Sequence, residues 1–250
     1  MSTWLEGKVL ENRAWTKTLF SLRAHLPTGA PRLKFEAGQF VRIALDIGGE
    51  RVARPFSFVN APDDPVLEFY GVIVPEGPLS PPLARLQAGD RLYVADNPSG
   101  FLVLSEVPPA EDLWLVATGT GIAPFLSILR TETLWQRYRR VILVHAARYA
   151  QELVYQDVIS QIQKRSQNNF KYVLCVSREE VPGALQGRIP AAIRDGRLEA
   201  AAWAISPERS QFMLCGNPDM LKDAAAVLME RGLRKNRRRT PGHITVESFW

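Results

Sequence analysis

Leu113-Trp114-Leu115-Val116-Ala117-Thr118-Gly119-Thr120-Gly121-Ile122-Ala123-Pro124 runs from an apolar stretch through a glycine-rich turn to a proline. The first five residues read as a strand buried on both faces, the pattern of a parallel sheet. Gly119 and Gly121 can take positive φ and let another group approach the backbone closely. Pro124 suits a first helical turn, where its missing N–H costs little. A helix starting there offers free N–H groups and the positive end of its dipole to a phosphate. Strand, glycine turn and helix form the setting of a dinucleotide fingerprint, but Pro124 stands where G-x-G-x-x-G has its third glycine, so the fingerprint is incomplete. A tight βα turn without a ligand is the plain alternative.

Downstream of this stretch, strands and helices alternate. Apolar strands are expected at 113–117, 141–146, 172–177 and 212–216, and helices at 124–135, 152–165 and 218–231. That alternation marks a parallel sheet with right-handed crossovers. Upstream, the first hundred residues read as strands alone, at 7–10, 18–25, 39–46, 51–59, 67–74 and 91–95, separated by turn signals such as Ala88-Gly89-Asp90. Short strands at this spacing favour an antiparallel barrel or sandwich. Val107-Pro108-Pro109-Ala110-Glu111-Asp112 reads as a linker. The expected architecture is two-domain β + α/β: an antiparallel β-barrel over 1–105, then a parallel-sheet α/β nucleotide-binding domain over 106–250.

Charge follows the same division. Residues 1–100 carry 11 basic and 11 acidic side chains, whereas 101–250 carry 20 and 15, so the net +5 lies wholly in the second part. Six of the nine residues 231–239 are basic. Such asymmetry points to an anionic ligand or an acidic partner; a solvated basic helix end is the alternative, and no fold motif supports nucleic-acid binding. Two cysteines, Cys175 and Cys215, are too few for a four-cysteine iron–sulfur cluster and too far apart for a paired zinc site, so no metal is expected. No apolar run reaches the roughly 18–20 residues that span a bilayer, and the start lacks the pattern of a secretory signal. The expectation is a cytoplasmic monomer without membrane contact.

Three arginines fall where a phosphate would need them. Arg148 follows the second α/β strand, at the place of the acid that binds ribose in an NAD site. A guanidinium there suits the 2′-phosphate of NADP. Ser177-Arg178 ends the third strand, and Arg188 follows in Gln186-Gly187-Arg188. All three sit on loops at strand C-terminal ends, where open α/β sheets bind ligands. In the first part, Arg54-Pro55-Phe56-Ser57-Phe58 is an odd surface strand. Arg54 could bind a pyrophosphate, Phe56 could stack on a flat ring, and Ser57 could hydrogen-bond a heteroaromatic nitrogen. Core packing competes with that reading. Tyr70-Gly71-Val72-Ile73 is a second aromatic-containing strand, and Gly77-Pro78-Leu79-Ser80 enters a short helix.

In this order and spacing, these residues resemble the ferredoxin–NADP(+) reductase family, closest to its bacterial ferredoxin/flavodoxin reductases. The carriers also include Val144-His145-Ala146-Ala147-Arg148, Leu214-Cys215-Gly216-Asn217-Pro218-Asp219-Met220 and the ending Pro241-Gly242-His243-Ile244-Thr245-Val246-Glu247-Ser248-Phe249-Trp250. The resemblance covers nearly the whole chain. It implies an FAD-binding barrel and an NADP(H)-binding α/β domain, with a hydride passing from NADPH to flavin N5 and electrons leaving singly to the acidic carriers ferredoxin or flavodoxin. It implies FAD contacts at Arg54, Pro55, Phe56, Ser57, Tyr70, Gly71, Val72, Ile73, Pro78, Leu79 and Ser80, with Phe249 and Trp250 folding back along FAD. Thr120 would stand near flavin and nicotinamide. Ala147, Arg148, Ser177, Arg178, Arg188 and Asp219 would hold NADP. Ser57, Cys215 and Glu247 would shape the reacting site; a buried thiol without that role is the alternative for Cys215. An NADPH-dependent flavin reductase component of an oxygenase, or a diaphorase-type quinone or metal reductase, is the alternative activity. A flavin-binding regulatory subunit without turnover is the alternative from another class.

Overall fold

The computed structural model describes residues 3–27, 29, 33–166 and 168–248; Phe249 and Trp250 lie outside the described residues. Six strands, β1 (Trp4–Ala14), β2 (Leu19–His25), β3 (Phe40–Ile47), β4 (Glu50–Ser57), β5 (Leu67–Val72) and β6 (Arg91–Ala95), form an antiparallel sheet in the order β4-β3-β6-β1-β2-β5. The outer strands meet through a Phe58–Phe69 bridge and a hydrogen bond from Val59 N–H to the Glu68 carbonyl at 2.8 Å. That contact curls the sheet into a partly closed barrel. Leu22, Ile43, Phe58, Phe69, Leu92 and Val94 fill the inside, each almost fully buried.

A single-turn helix, α1 (Ser80–Leu83), lies between β5 and β6. The chain then crosses to a parallel sheet along 104–111, where the Arg137 guanidinium holds the carbonyls of Leu104 and Val107. This second sheet comprises β7 (Asp112–Thr118), β8 (Arg140–Ala147), β9 (Phe170–Val176), β10 (Leu185–Gln186), β11 (Ser210–Gly216) and β12 (Ile244–Ser248), in the order β10-β9-β8-β7-β11-β12. Helices α2 (Ala123–Leu129), α3 (Glu132–Arg137), α4 (Gln156–Arg165), α5 (Ile189–Arg194), α6 (Arg197–Ala201) and α7 (Pro218–Glu230) cover its faces. Both sheet types agree with the sequence reading.

Several elements differ from it. The helix expected over 124–135 is two helices, because Thr131 takes an extended conformation (φ −95°, ψ 142°) and its hydroxyl donates to the Ile128 carbonyl at 2.7 Å. The helix expected from 152 starts at Gln156, after a 3-10 turn and a left-handed residue, Tyr155. Residues 231–239 are not a helix end. The segment leaves α7 and runs along β12, with Asn236 N–H donating to the Ile244 carbonyl at 2.8 Å. The barrel and the parallel sheet share one apolar interface, in which Leu19, Val59 and Tyr70 pack with Ile122, Leu126 and Tyr155. Among the described residues, no helix is long and apolar enough to cross a membrane.

Candidate active site

The glycine turn sits at the C-terminal end of β7, as its sequence required. Gly121 is pressed against β11: a Cβ there would run into the Cys215 carbonyl oxygen and stand 2.8 Å from Gly216 Cα. The turn is fastened from the other side by Thr118, whose hydroxyl accepts the Asn217 N–H at 2.9 Å. Thr120 is thereby buried at the mouth of the sheet, beside the buried Cys215. Burial pushes the Cys215 thiol well above its ordinary value, and the facing Glu247 carboxylate adds to the push.

Glu247 comes from β12, in register with Cys215. Its Oε2 accepts the Phe101 N–H at 3.3 Å, tying the last strand to the loop after β6. A Cβ on Gly100 would stand 3.1 Å from that oxygen and 3.2 Å from the Phe40 ring. Phe40 pairs in turn with Ser57 across β3 and β4. A series of neighbours thus leads from Cys215 through Glu247, Gly100 and Phe40 to Ser57. Burial pushes the Glu247 carboxyl up to about 7, against the lowering effect of the Phe101 and Leu102 N–H groups. Among the described residues, Ser57 Oγ and Glu247 Oε1 are two of several buried polar atoms without a hydrogen-bond partner, and both lie here. Buried polar atoms are nearly always satisfied. Two orphans on one surface fit a group that brings its own donors and acceptors, as a flavin ring would.

The rest of the barrel side divides. Arg54 is exposed, and among the described residues its guanidinium donates only to the Ala53 carbonyl, at 2.8 Å; Pro55 is exposed beside it. Phe56 lies over Gly71, where a Cβ would stand 2.8 Å from the Phe56 ring, so only glycine leaves room. Val72 and Ile73 are half-buried and Pro78 is exposed. Ser80 Oγ accepts the Val74 N–H at 2.8 Å. The Leu79 side chain is buried in the barrel core, which leaves its backbone for any ligand. The Tyr70 ring points into the barrel–sheet interface, edge-on to Tyr155 with centroids 5.4 Å apart. Burial raises its hydroxyl pKa, and that hydroxyl has no hydrogen-bond partner among the described residues.

The arginines expected at the strand ends come together. Ser177 N–H donates to the Ala147 carbonyl at 3.2 Å and Arg178 N–H to the Arg148 carbonyl at 3.0 Å. The Gly187 N–H donates to the Val176 carbonyl at 2.8 Å, which brings Arg188 beside them. Arg148, Arg178 and Arg188 are exposed, and none forms an ion pair among the described residues. Arg178 lies 5.9 Å over the Tyr149 ring. Asp219 is exposed on the first turn of α7, its N–H capped by Asn217 at 3.0 Å. Of the basic run, Arg231 pairs with Glu199 at 2.6 Å and Arg238 with Glu106 at 3.4 Å, whereas Arg234, Lys235, Arg237 and Arg239 form no such pair among the described residues.

The sequence reading missed the residues that join the two sides. Ser127 Oγ donates to the Asn60 carbonyl at 2.6 Å, and Arg130 pairs with Glu68 at 3.2 Å, both partly or fully buried. Thr118, next to the glycine turn, carried a local signal; the long-range pairs carried none. His145 is buried and its pKa falls to about 4 through burial, with the Gly119 backbone opposing.

Comparison with known proteins places this arrangement. A family model described as an oxidoreductase NAD-binding domain matches residues 115–226. The chain is 48% identical to the flavodoxin/ferredoxin–NADP reductases of Shigella flexneri and Escherichia coli, over 100% of each. A crystal structure of a ferredoxin NADP+ reductase from Neisseria gonorrhoeae with bound FAD and NADP matches 100% of both chains, with a TM-score of 0.93 and 33% identity. Fold and site thus define a two-sheet nucleotide-dependent oxidoreductase. The chain belongs to the flavodoxin/ferredoxin–NADP reductase family.

Proposed function

We propose that this chain is an FAD-containing reductase that takes a hydride from NADPH and hands electrons singly to ferredoxin or flavodoxin. The observation that carries the reading is the pair of buried, unpartnered oxygens, Ser57 Oγ and Glu247 Oε1, on the surface between barrel and sheet. FAD, when bound, supplies the conversion between a two-electron hydride and single electrons. The chain's own residues have the tasks of binding, orientation and exclusion of water.

Ser57 would donate a hydrogen bond to the reacting edge of the ring, and Phe56, Gly71 and the backbone of Tyr70, Val72 and Ile73 would border it. Arg54, with Pro55, and the loop of Pro78, Leu79 and Ser80 would hold the pyrophosphate end, where Arg54 is free of any acid among the described residues. Thr120 and Cys215 would pack beside the nicotinamide. A thiol whose pKa burial raises stays neutral, so Cys215 would shape the site without taking a proton. Arg148, Arg178 and Arg188, with Ser177, would hold the 2′-phosphate end of NADP(H) by charge-assisted hydrogen bonds, and Ala147 and Asp219 would border the same nucleotide. Phe249 and Trp250 would contact FAD.

The unpaired cations of 234–239 would steer an acidic carrier protein. Both cysteines are free and buried, which suits a reducing compartment; we place the protein in the cytoplasm, as a monomer. The test is a spectrum of the purified protein followed by anaerobic mixing with NADPH and, separately, NADH. A flavin spectrum bleached preferentially by NADPH is expected. A colourless protein that takes up no FAD would sink the reading, and equal bleaching by NADH would sink the arginine assignment.

A further inference from the structure

The loop that carries Arg148 is closed on itself. Glu152 Oε2 accepts the N–H groups of Arg148 at 2.9 Å and Tyr149 at 3.4 Å, and the neighbouring Glu179 carboxylate accepts the Ala150 N–H, so 148–152 is held in shape by contacts on the sheet side rather than by the barrel. Three residues further on, Tyr155 adopts φ 63° and ψ 24°, a left-handed conformation that bulky residues rarely enter. Its ring is buried, and it is buried against the barrel: the centroid lies 5.0 Å from Trp15 and 5.4 Å from Tyr70. Its hydroxyl is buried near Ser21 and Glu68 and forms no hydrogen bond among the described residues. Ser21 accepts the Trp15 indole N–H at 3.1 Å, and Glu68 pairs with Arg130 at 3.2 Å, so the slot around the ring is itself braced. Tyr70 precedes Gly71, which abuts the Phe56 ring. Ring contacts and the chain itself together connect the Phe56–Ser57 strand through Tyr70 and Tyr155 to the Arg148 loop.

We propose that Tyr155 is a positioning residue that locks the arginine-bearing loop to the barrel and so fixes the distance over which the hydride travels. The proposal rests on reading the chain as an NADPH-dependent flavoprotein. Glycine would take this backbone conformation without strain, yet the position holds a large ring, and the ring's contacts are across the interface. Displacements of about 1 Å between reacting groups can cost about a hundredfold in rate, so a rigid wedge between the two layers has a direct kinetic consequence.

Two variants separate ring from backbone: Tyr155→Gly keeps the left-handed conformation and removes the ring, and Tyr155→Phe keeps the ring and removes the hydroxyl. Three readouts are compared on the FAD-loaded protein: the rate of flavin bleaching at saturating NADPH, the affinity for adenosine 2′,5′-bisphosphate by calorimetry, and amide hydrogen exchange over 153–156. Tyr155→Gly is expected to slow bleaching at least tenfold and to raise exchange. Its affinity for the bisphosphate should stay within about threefold, because Glu152 still closes the Arg148 loop. Tyr155→Phe should match wild type in all three. An unchanged bleaching rate in Tyr155→Gly would overturn the proposal. A parallel loss of bisphosphate affinity would overturn it too, since the ring would then merely hold the loop folded. A wild-type protein that NADPH does not bleach overturns the parent reading and this one with it, whereas a bleached wild type with an unimpaired glycine variant overturns this one alone.

Discussion

The two sides of the cleft are built on opposite principles. Where the barrel meets the sheet, Ser57 of β4 and Cys215 of β11 are buried, Glu247 of β12 is half-buried, and Ser57 Oγ and Glu247 Oε1 lack partners among the described residues. On the crevice side Arg148, Arg178 and Arg188 are exposed and form no ion pair among the described residues. A buried polar atom left unsatisfied costs about 1–3 kcal/mol, so that junction is at ease only when a resident group fills it. An exposed arginine is hydrated when alone and costs nothing while it waits. The first arrangement suits a cofactor that stays, the second a nucleotide that comes and goes.

The most drastic way to break this contrast is to overpack the glycine turn at the end of β7. Gly121→Ala would push a methyl group into the backbone of Cys215 and Gly216, and backbone on both sides cannot step aside. Overpacking of this kind costs about 3 kcal/mol, so urea unfolding should show a clear drop in midpoint, together with loss of NADPH oxidation. Next comes the crevice itself. Arg148→Ala and Arg178→Ala should each raise KM for NADPH about tenfold, consistent with about 1.5 kcal/mol for a charge-assisted hydrogen bond. Steady-state kinetics should find kcat and the constants for NADH nearly unchanged. A fall in kcat with constant KM would place these arginines elsewhere in the cycle.

Ser57→Ala sharpens the other half. Deleting an orphaned hydroxyl should stabilise the FAD-free protein by up to about 1 kcal/mol, yet slow flavin bleaching about tenfold in the loaded one. Opposite signs in the two states are what a resident-cofactor site requires. If thermal melts of the FAD-free variant show destabilisation instead, Ser57 serves the fold.

Much of this contrast was legible beforehand, and the reasons are specific. The crevice could be read because a parallel sheet puts its ligand loops at strand C-terminal ends, so Arg148 and Arg178 fell into place once the strands did. Strands β2, β3 and β6 could be read because apolar and polar residues alternate between Gly- and Pro-rich turns. Strand β12 was read only as an ending, since five residues after a basic run carry little periodicity and pair with a distant β11. The direction of Tyr70 was illegible for a similar reason. A strand fixes alternation, but which face meets the neighbouring layer depends on contacts such as Ser127–Asn60, 67 residues apart in sequence. The left-handed Tyr155 is decided by the barrel slot it enters, and nothing local in the sequence announces that.

The gentlest probe of the contrast is the pH dependence of stability at Glu247. Burial holds its carboxyl at about 7 in the fold, above the ordinary 4.5. The native state then binds a proton that the unfolded chain has already released, so stability falls as pH rises from about 4.5 to 7 and levels off above. Glu247→Gln removes the titration. Its melting temperature should exceed that of wild type at pH 8, by an amount equivalent to about 2 kcal/mol after allowing for the partly exposed carboxyl, and the gap should close near pH 4. Thermal melts at several pH values, on FAD-free and FAD-loaded protein, measure it. If Oε1 faces the resident group, loading must change the slope. An identical slope in both states would place Glu247 with the fold and leave Ser57 alone on the resident side.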